Sequence, residues 1–291
     1  MRKLTRKLFI SILSMAFAVI AIGTTTFAWI TISTTADINQ FQATVETGAG
    51  GIELSLDKQT WTNSLDITEN DFENFKGELS DVTLTDAASE TFKELVINNN
   101  TATYADIDGQ LPYIKIQFWV RNTNPATGNE LNVSIAQNSV VFGGTEPTSY
   151  LPDVDVTGFM GETGRKSMTN LCASNAARMM ATDGTNRVLY QKDGNALATT
   201  TDQNTLGSST SGFAYNYFTA KGISFGDLSA PTGLDYKVPS VSDQTIISNL
   251  GSTEVLVTLY VWIEGWDNEC HADILKDQLT VSLKLNSTKA N

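Results

Sequence analysis

One histidine, His271, and two cysteines, Cys172 and Cys270, supply all the imidazole and thiol chemistry of this 291-residue chain. A single histidine removes every two-histidine metal centre, including the His-Glu-x-x-His zinc helix, and leaves one base for a nucleophilic serine or cysteine. That base directly follows Cys270, and sequence neighbours in a loop rarely converge on one metal or one proton, so an exposed loop histidine is the expectation. Thirty-two acidic residues always offer carboxylate pairs, but their separation, which decides glycosidase chemistry, is not written in sequence. The acidic run Asp66, Glu69, Asp71, Glu73, Glu78, Asp81 and Asp86, and the pair Asp153 and Asp155, raise calcium. Neither has the glycine at six and glutamate at twelve of a calcium loop, so a solvated acidic surface is the reading. Gly48-Ala49-Gly50-Gly51 lacks the lysine and helix start of a phosphate loop and reads as a turn. Tyr113, Trp119, Trp262 and Trp266 are of the type that stacks on sugars, and equally of the type that packs on a sheet. The expectation is a protein with no catalytic residues, no metal and no cofactor.

The sharper signal is at the N-terminus. Arg2, Lys3, Arg6 and Lys7 precede an apolar stretch from Leu8 to Ile22, and Thr26 and Ala28 place small residues at −3 and −1 before Trp29. That order describes a secretory signal peptide cut between Ala28 and Trp29. Continued through Ile32, the same stretch is long enough to cross a bilayer as an uncleaved helical anchor, so residues 1–28 are either signal peptide or membrane anchor. Without those four cations the chain has 15 Lys and Arg against the same 32 Asp and Glu, a formal charge of −17. Such a balance repels nucleic acid and anionic membrane surfaces and suits an exported, soluble protein. Export also places Cys172 and Cys270 where they can pair, and the two readings, one disulfide or two buried thiols, stay open.

The elements that must position these residues are strands. Phe41, Ala43 and Val45 alternate with polar residues, as do Ile52, Leu54 and Leu56 ahead of a turn at Asp57-Lys58 and Trp61. Ile114, Ile116, Phe118 and Val120 share one face of the clearest core strand. Across the turn cluster 122–129, Leu131, Val133 and Ile135 are expected to pair with it antiparallel. Asp183-Gly184 between the runs 177–181 and 187–190 predicts a hairpin. Val255 to Ile263 is apolar on both faces, as a central strand covered twice would be, and Leu279 to Leu285 alternates as the last strand. Two short helices are expected, one presenting Phe72, Phe75 and Leu79 and one over 87–96. The tract 193–212, almost wholly Thr, Ser, Asn, Gly and Asp, reads as a loop, as does 143–168. The predicted fold is an all-β antiparallel sandwich with long loops, preceded by the N-terminal hydrophobic helix, and divided as 1–28, an N-terminal strand at 29–47 and a sandwich domain at 48–291.

Two segments resemble a known family. Ile22-Gly23-Thr24-Thr25-Thr26-Phe27-Ala28-Trp29, with the polar stretch to Phe41 and the Gly-rich turn before Ile52-Glu53-Leu54-Ser55-Leu56, resembles the processing region of the bacterial TasA and camelysin-like exported proteins, whose leaders are removed by a SipW-type signal peptidase. Val261-Trp262-Ile263-Glu264-Gly265-Trp266-Asp267-Asn268-Glu269-Cys270 is similar to a C-terminal signature of Gram-positive surface proteins with such leaders. The likeness covers about a quarter of the chain. It implies a jelly-roll-like β domain, secreted to the cell surface or biofilm matrix, non-enzymatic, and homo-polymeric. In those fibres the freed N-terminal segment of one subunit completes a sheet of the next, a form of strand addition. Here Trp29 to Val45 lies where that donor lies, with Ile30, Ile32, Ile38, Phe41, Ala43 and Val45 as the inserting residues. Camelysin has been classed with metallopeptidases, and this chain has no zinc motif to match. A monomeric surface adhesin or carbohydrate-binding module is the alternative.

Overall fold

The computed structural model describes residues 42–47, 51–126, 128–144, 148–150, 168–171, 173–192, 222, 224, 231, 234–265, 267 and 279–290. Its elements are β1 (Gln42–Thr47), β2 (Ile52–Ser55), β3 (Ser64–Ile67), a single 3-10 turn (Glu69–Asp71), β4 (Asp81–Asp86), β5 (Thr91–Asn98), β6 (Thr101–Asp106), β7 (Ile114–Asn122) and β8 (Leu131–Ile135). Then come β9 (Val141–Gly144), β10 (Thr148–Tyr150), β11 (Met168–Leu171), one helical turn α1 (Ala173–Ala176), β12 (Ala177–Thr182), β13 (Arg187–Gln191), β14 (Tyr236–Lys237), β15 (Gln244–Leu250), β16 (Val255–Glu264) and β17 (Leu279–Lys289). The all-β class follows from the period-two pattern, and the N-terminal helix lies outside the described residues.

Two sheets face each other across one apolar core. The smaller has the order β15-β8-β17-β1-β3, with β9 also on β17. The larger has the order β14-β13-β12-β16-β4-β5-β6, with β7 on β16 and β2 on β7. Ile114, Ile116, Phe118 and Val120 of β7, Val257, Leu259, Val261 and Ile263 of β16, and Leu279, Val281, Leu283 and Leu285 of β17 are all buried and belong to one cluster. Side chains alternate across a strand, so each of these strands delivers every second residue to that core. The other face of β16 is buried too. Tyr260 and Trp262 join Val82, Leu84, Phe92, Tyr113, Met180 and Leu189 in a second cluster under β4 and β5, where Phe92 stacks on Tyr113 with centroids 4.2 Å apart. Two covers explain why β16 lacks a polar face.

The hairpin predicted at Asp183-Gly184 forms, with β12 and β13 paired from Arg178↔Gln191 to Thr182↔Arg187. Asp183 Oδ1 accepts the backbone N–H of Thr185 and Asn186 at 2.8 and 2.6 Å, and Gly184 takes φ +87°, a conformation open to glycine. The turn after β2 also forms, closed by reciprocal Leu54–Thr62 backbone bonds of 2.8 and 2.9 Å.

Other expectations fail. β7 does not pair with β8: β7 lies between β16 and β2, and β8 lies between β15 and β17 in the opposite sheet. Asn122 holds the corner between them, its Nδ2 donating to Asn129 O at 2.8 Å and Leu250 O at 3.2 Å. Alternation names the buried face of a strand, but two strands facing one core from opposite sheets alternate in the same way. Neither predicted short helix exists. Residues 73–74 form a turn, with Asn74 at φ +51°, between single bridges of Phe72 to Ile116 and Phe75 to Leu111; Glu73 N donates to Lys115 O at 2.8 Å, and Phe72 meets Phe75 edge-on at 5.3 Å. Residues 91–96 belong to β5, begun by Glu90 at φ +55° and an Asp86 turn that accepts Ala88 N at 2.8 Å. Lys93, Glu94 and Leu95 are good helix formers, and the ladders of β5 with β4 and β6 override that preference. The stretch read as one loop from Gly143 includes β10, paired with β11. Nor is the sandwich purely antiparallel: β1 with β17, β13 with β14 and β16 with β4 run parallel.

Candidate functional site

β1 occupies an interior place in the smaller sheet. It pairs in parallel with β17 from Gln42↔Thr280 to Thr47↔Leu285, and antiparallel with β3 from Ala43↔Ile67 to Glu46↔Ser64. Ala43 sits in register between Val281 and Ile67, and Val45 between Leu283 and Leu65, four residues that are all buried. Among the described residues β3 joins the sheet only through β1. Taking β1 away therefore opens a slot with two unpaired backbone edges, an arrangement that admits one extended strand. The chain enters β2 in the other sheet through Gly51, whose φ of +126° is a conformation that favours glycine.

Trp262, Glu264 and Asp267 build a buried polar knot at the end of β16. Glu264, 1% exposed, accepts Thr83 Oγ1 at 2.7 Å and Trp262 Nε1 at 3.0 Å. Asp267 forms a buried ion pair with Arg178 of β12, and Arg178 Nη1 donates to the carbonyls of Ala177 at 3.0 Å and Asn175 at 3.3 Å. Burial pulls the guanidinium pKa down, but the carboxylates of Asp267 and Glu264 and the Tyr236 ring hold it above its usual value. Burial likewise raises the Tyr236 phenol, and it raises Tyr113 to about 12, with Glu73 and Glu90 adding to the effect. Neither phenol is a base or nucleophile at neutral pH. The knot ties β12, β16 and β4 together, and its chemistry is structural.

A third arrangement lies on the outward side of β2 and β7. Arg121 Nε and Nη2 grip Glu53 Oε2 at 2.9 and 2.6 Å, directly across the strand pair, and the guanidinium lies 4.2 Å from the Trp61 ring centroid. Lys58 Nζ sits 3.4 Å over the ring of Trp119. Asp57 organises the intervening turn by accepting the N–H of Thr60 at 2.7 Å and of Gln59 at 2.8 Å. These bonds, with that from Ser55 Oγ, hold its carboxyl at about 2. A carboxyl depressed in the folded state stabilises above its unfolded pKa of 3.8, and the contribution disappears as pH falls towards 2. Asp57→Asn is therefore expected to destabilise the turn at pH 6 and to flatten that acid dependence. Comparing pH titrations of stability for the two proteins between pH 5 and about pH 2 checks it.

Of the residues singled out in the sequence, only Ala43 and Val45 of the donor candidates lie in the described part, and both are in β1. Ala28, Trp29, Ile30, Ile32, Ile38, Phe41, Cys172, Cys270, His271 and Trp266 lie outside the described residues. Tyr113 and Trp262 are buried, so they are no sugar platform, whereas Trp119 is half-buried on the outward face. Among the described residues no cluster of three His, Cys, Asp or Glu side chains is placed to hold a metal ion. Sequence reading missed Arg178, Lys58, Trp61 and Arg121. The only sign of Arg178 was a lone charge in the apolar run 177–181, where a buried cation demands a partner. Comparison of the chain with protein-family models, curated proteins and solved structures found no match.

Proposed function

We propose that this chain is an exported structural subunit of a cell-surface or biofilm-matrix fibre, with a jelly-roll-like sandwich, that assembles by exchange of its N-terminal strand. The observation that carries this reading is the position of β1, an interior strand parallel to β17 whose onward connection is the Gly-rich run 48–51. A copy of β1 from a neighbouring subunit makes the same ladder in the same slot. Exchange then conserves the bonds and buried area of the closed monomer, which is what makes swapping an identical element a low-cost route to assembly. The proposed cut between Ala28 and Trp29 by a signal peptidase frees the segment preceding β1. If that cut is not made, residues 1–28 hold the subunit at the membrane.

The test is electron microscopy and light scattering of protein that starts at Trp29, which is expected to form filaments. Thr44→Pro, which removes a ladder N–H at the centre of β1, is expected to prevent them in both exchanged and closed forms. A chain starting at Gly48 is expected to stay unpolymerised and to gain thermal stability when a peptide spanning residues 29–47 is added. Monomers from the Trp29 form at all pH values and ionic strengths would sink the reading.

A further inference from the structure

The outward face of β2 and β7 bears two indoles and a row of planar polar groups, and we propose that it is a binding face for a neutral polysaccharide of β-linked hexopyranose units. Along β7, Gln117, Trp119 and Arg121 point outward at every second residue, about 7 Å apart. Glu53 lies opposite Arg121, and the 57–61 turn lays Trp61 beside it. A pyranose with equatorial substituents has an apolar C–H face that stacks on an indole and a rim of vicinal hydroxyls. Guanidinium, carboxylate and carboxamide groups bind such hydroxyl pairs through two parallel hydrogen bonds.

Charge balance selects the class of ligand. The chain as a whole has a formal charge of −13. On this face, though, Arg121 is matched by Glu53, Lys115 by Glu73 at 2.9 Å, and Lys58 by the adjacent Asp57. A neutral patch on an acidic protein neither attracts a polyanion nor repels an uncharged chain. The face is also held in shape before any ligand arrives. Asp57 fixes the turn, Trp61 Nε1 donates to Lys58 O at 3.2 Å, and Arg121 is pinned between Trp61 and Glu53. Rigid aromatic and planar groups lose little freedom on binding.

Lys58 is exposed and its ammonium covers the Trp119 ring, so a sugar reaches the ring by displacing it. That cover gives the test two effects of opposite sign, which a purely structural surface cluster does not produce. In affinity electrophoresis of the full chain through gels containing hydroxyethylcellulose, the native protein is expected to be retarded. Trp119→Ala is expected to bind roughly tenfold more weakly and Trp119→Tyr to keep most of the binding. Lys58→Ala, which bares the ring, is expected to bind roughly two- to fivefold more tightly, the strength of an exposed cation–π contact. Unchanged melting temperatures for the variants attribute these changes to the face itself. Absence of retardation, retardation only by polygalacturonate with loss in salt, Trp119→Ala binding like the native chain, or Lys58→Ala binding no tighter would each overturn the proposal.

Discussion

Arg178→Met is expected to lower the free energy of unfolding by about 3–5 kcal/mol, the usual effect of breaking a buried ion pair from one side. Arg178 is 1% exposed, as are Asp267 and Glu264, so the variant leaves buried carboxylate charge without the guanidinium that faced it. The carbonyls of Asn175 and Ala177 lose a donor in the same step. In a domain of this size the change corresponds to a fall in melting temperature on the order of 10 °C. Arg178→Lys separates charge from geometry. An ammonium on a shorter stem keeps the charge but does not span Asp267 and the two carbonyls with a rigid fork, so an intermediate loss is expected. Calorimetry of the three proteins checks the order native, Arg178→Lys, Arg178→Met. A methionine variant as stable as the native chain would mean that the pair contributes nothing net.

Trp262→Ala is expected to cost a further 3–5 kcal/mol or so, by a different mechanism. Trp262 is fully buried between Phe92, edge-on at 5.2 Å, and Tyr236 at 6.4 Å, on the face of the large sheet covered by β4 and β5. Truncation leaves a cavity there and also strips a donor from Glu264. Trp262→Phe divides these parts. It keeps most of the ring volume and loses the indole N–H, so a cost of about 1–3 kcal/mol is expected, that of depriving a buried acceptor of a bond. Denaturant unfolding of both variants measures the split. Because Trp262 and Arg178 converge on Glu264 and Asp267, the double variant should lose less than the sum of the singles.

Much of the fold was legible because a strand half-covered by a core must alternate. β7, β16 and β17 were readable residue by residue, and β16 announced its double cover by having no polar face. The β12–β13 hairpin was readable from Asp183-Gly184, since few residues tolerate that turn. The helices expected at 72–79 and 87–96 were misread because a short apolar spacing of three or four fits a helix as well as a turn or the start of a strand. What displaced them was tertiary: the main-chain bonds of Phe72 to Lys76 with residues near Leu111 and Lys115, and the closure of β5 on β4. The outward cluster of Lys58, Trp61, Glu53 and Arg121 was invisible for a similar reason. Its members are 68 residues apart at the extreme, and their convergence depends on β2 pairing with β7.

By itself the sequence determined the all-β class of structure. Side-chain periodicity is a local property, and so is the histidine count that removes two-histidine metal chemistry. It also marked an N-terminal strand, through the alternation of Phe41, Ala43 and Val45 with polar residues. Only the tertiary structure decided that this strand lies between β17 and β3, parallel to the last strand of the chain, because pairing depends on which unsatisfied backbone edges meet in space. It alone decided, too, that the lone arginine of β12 meets Asp267. A buried charge needs a partner by physical necessity, yet nothing in its neighbours along the chain says where, 89 residues on, that partner stands.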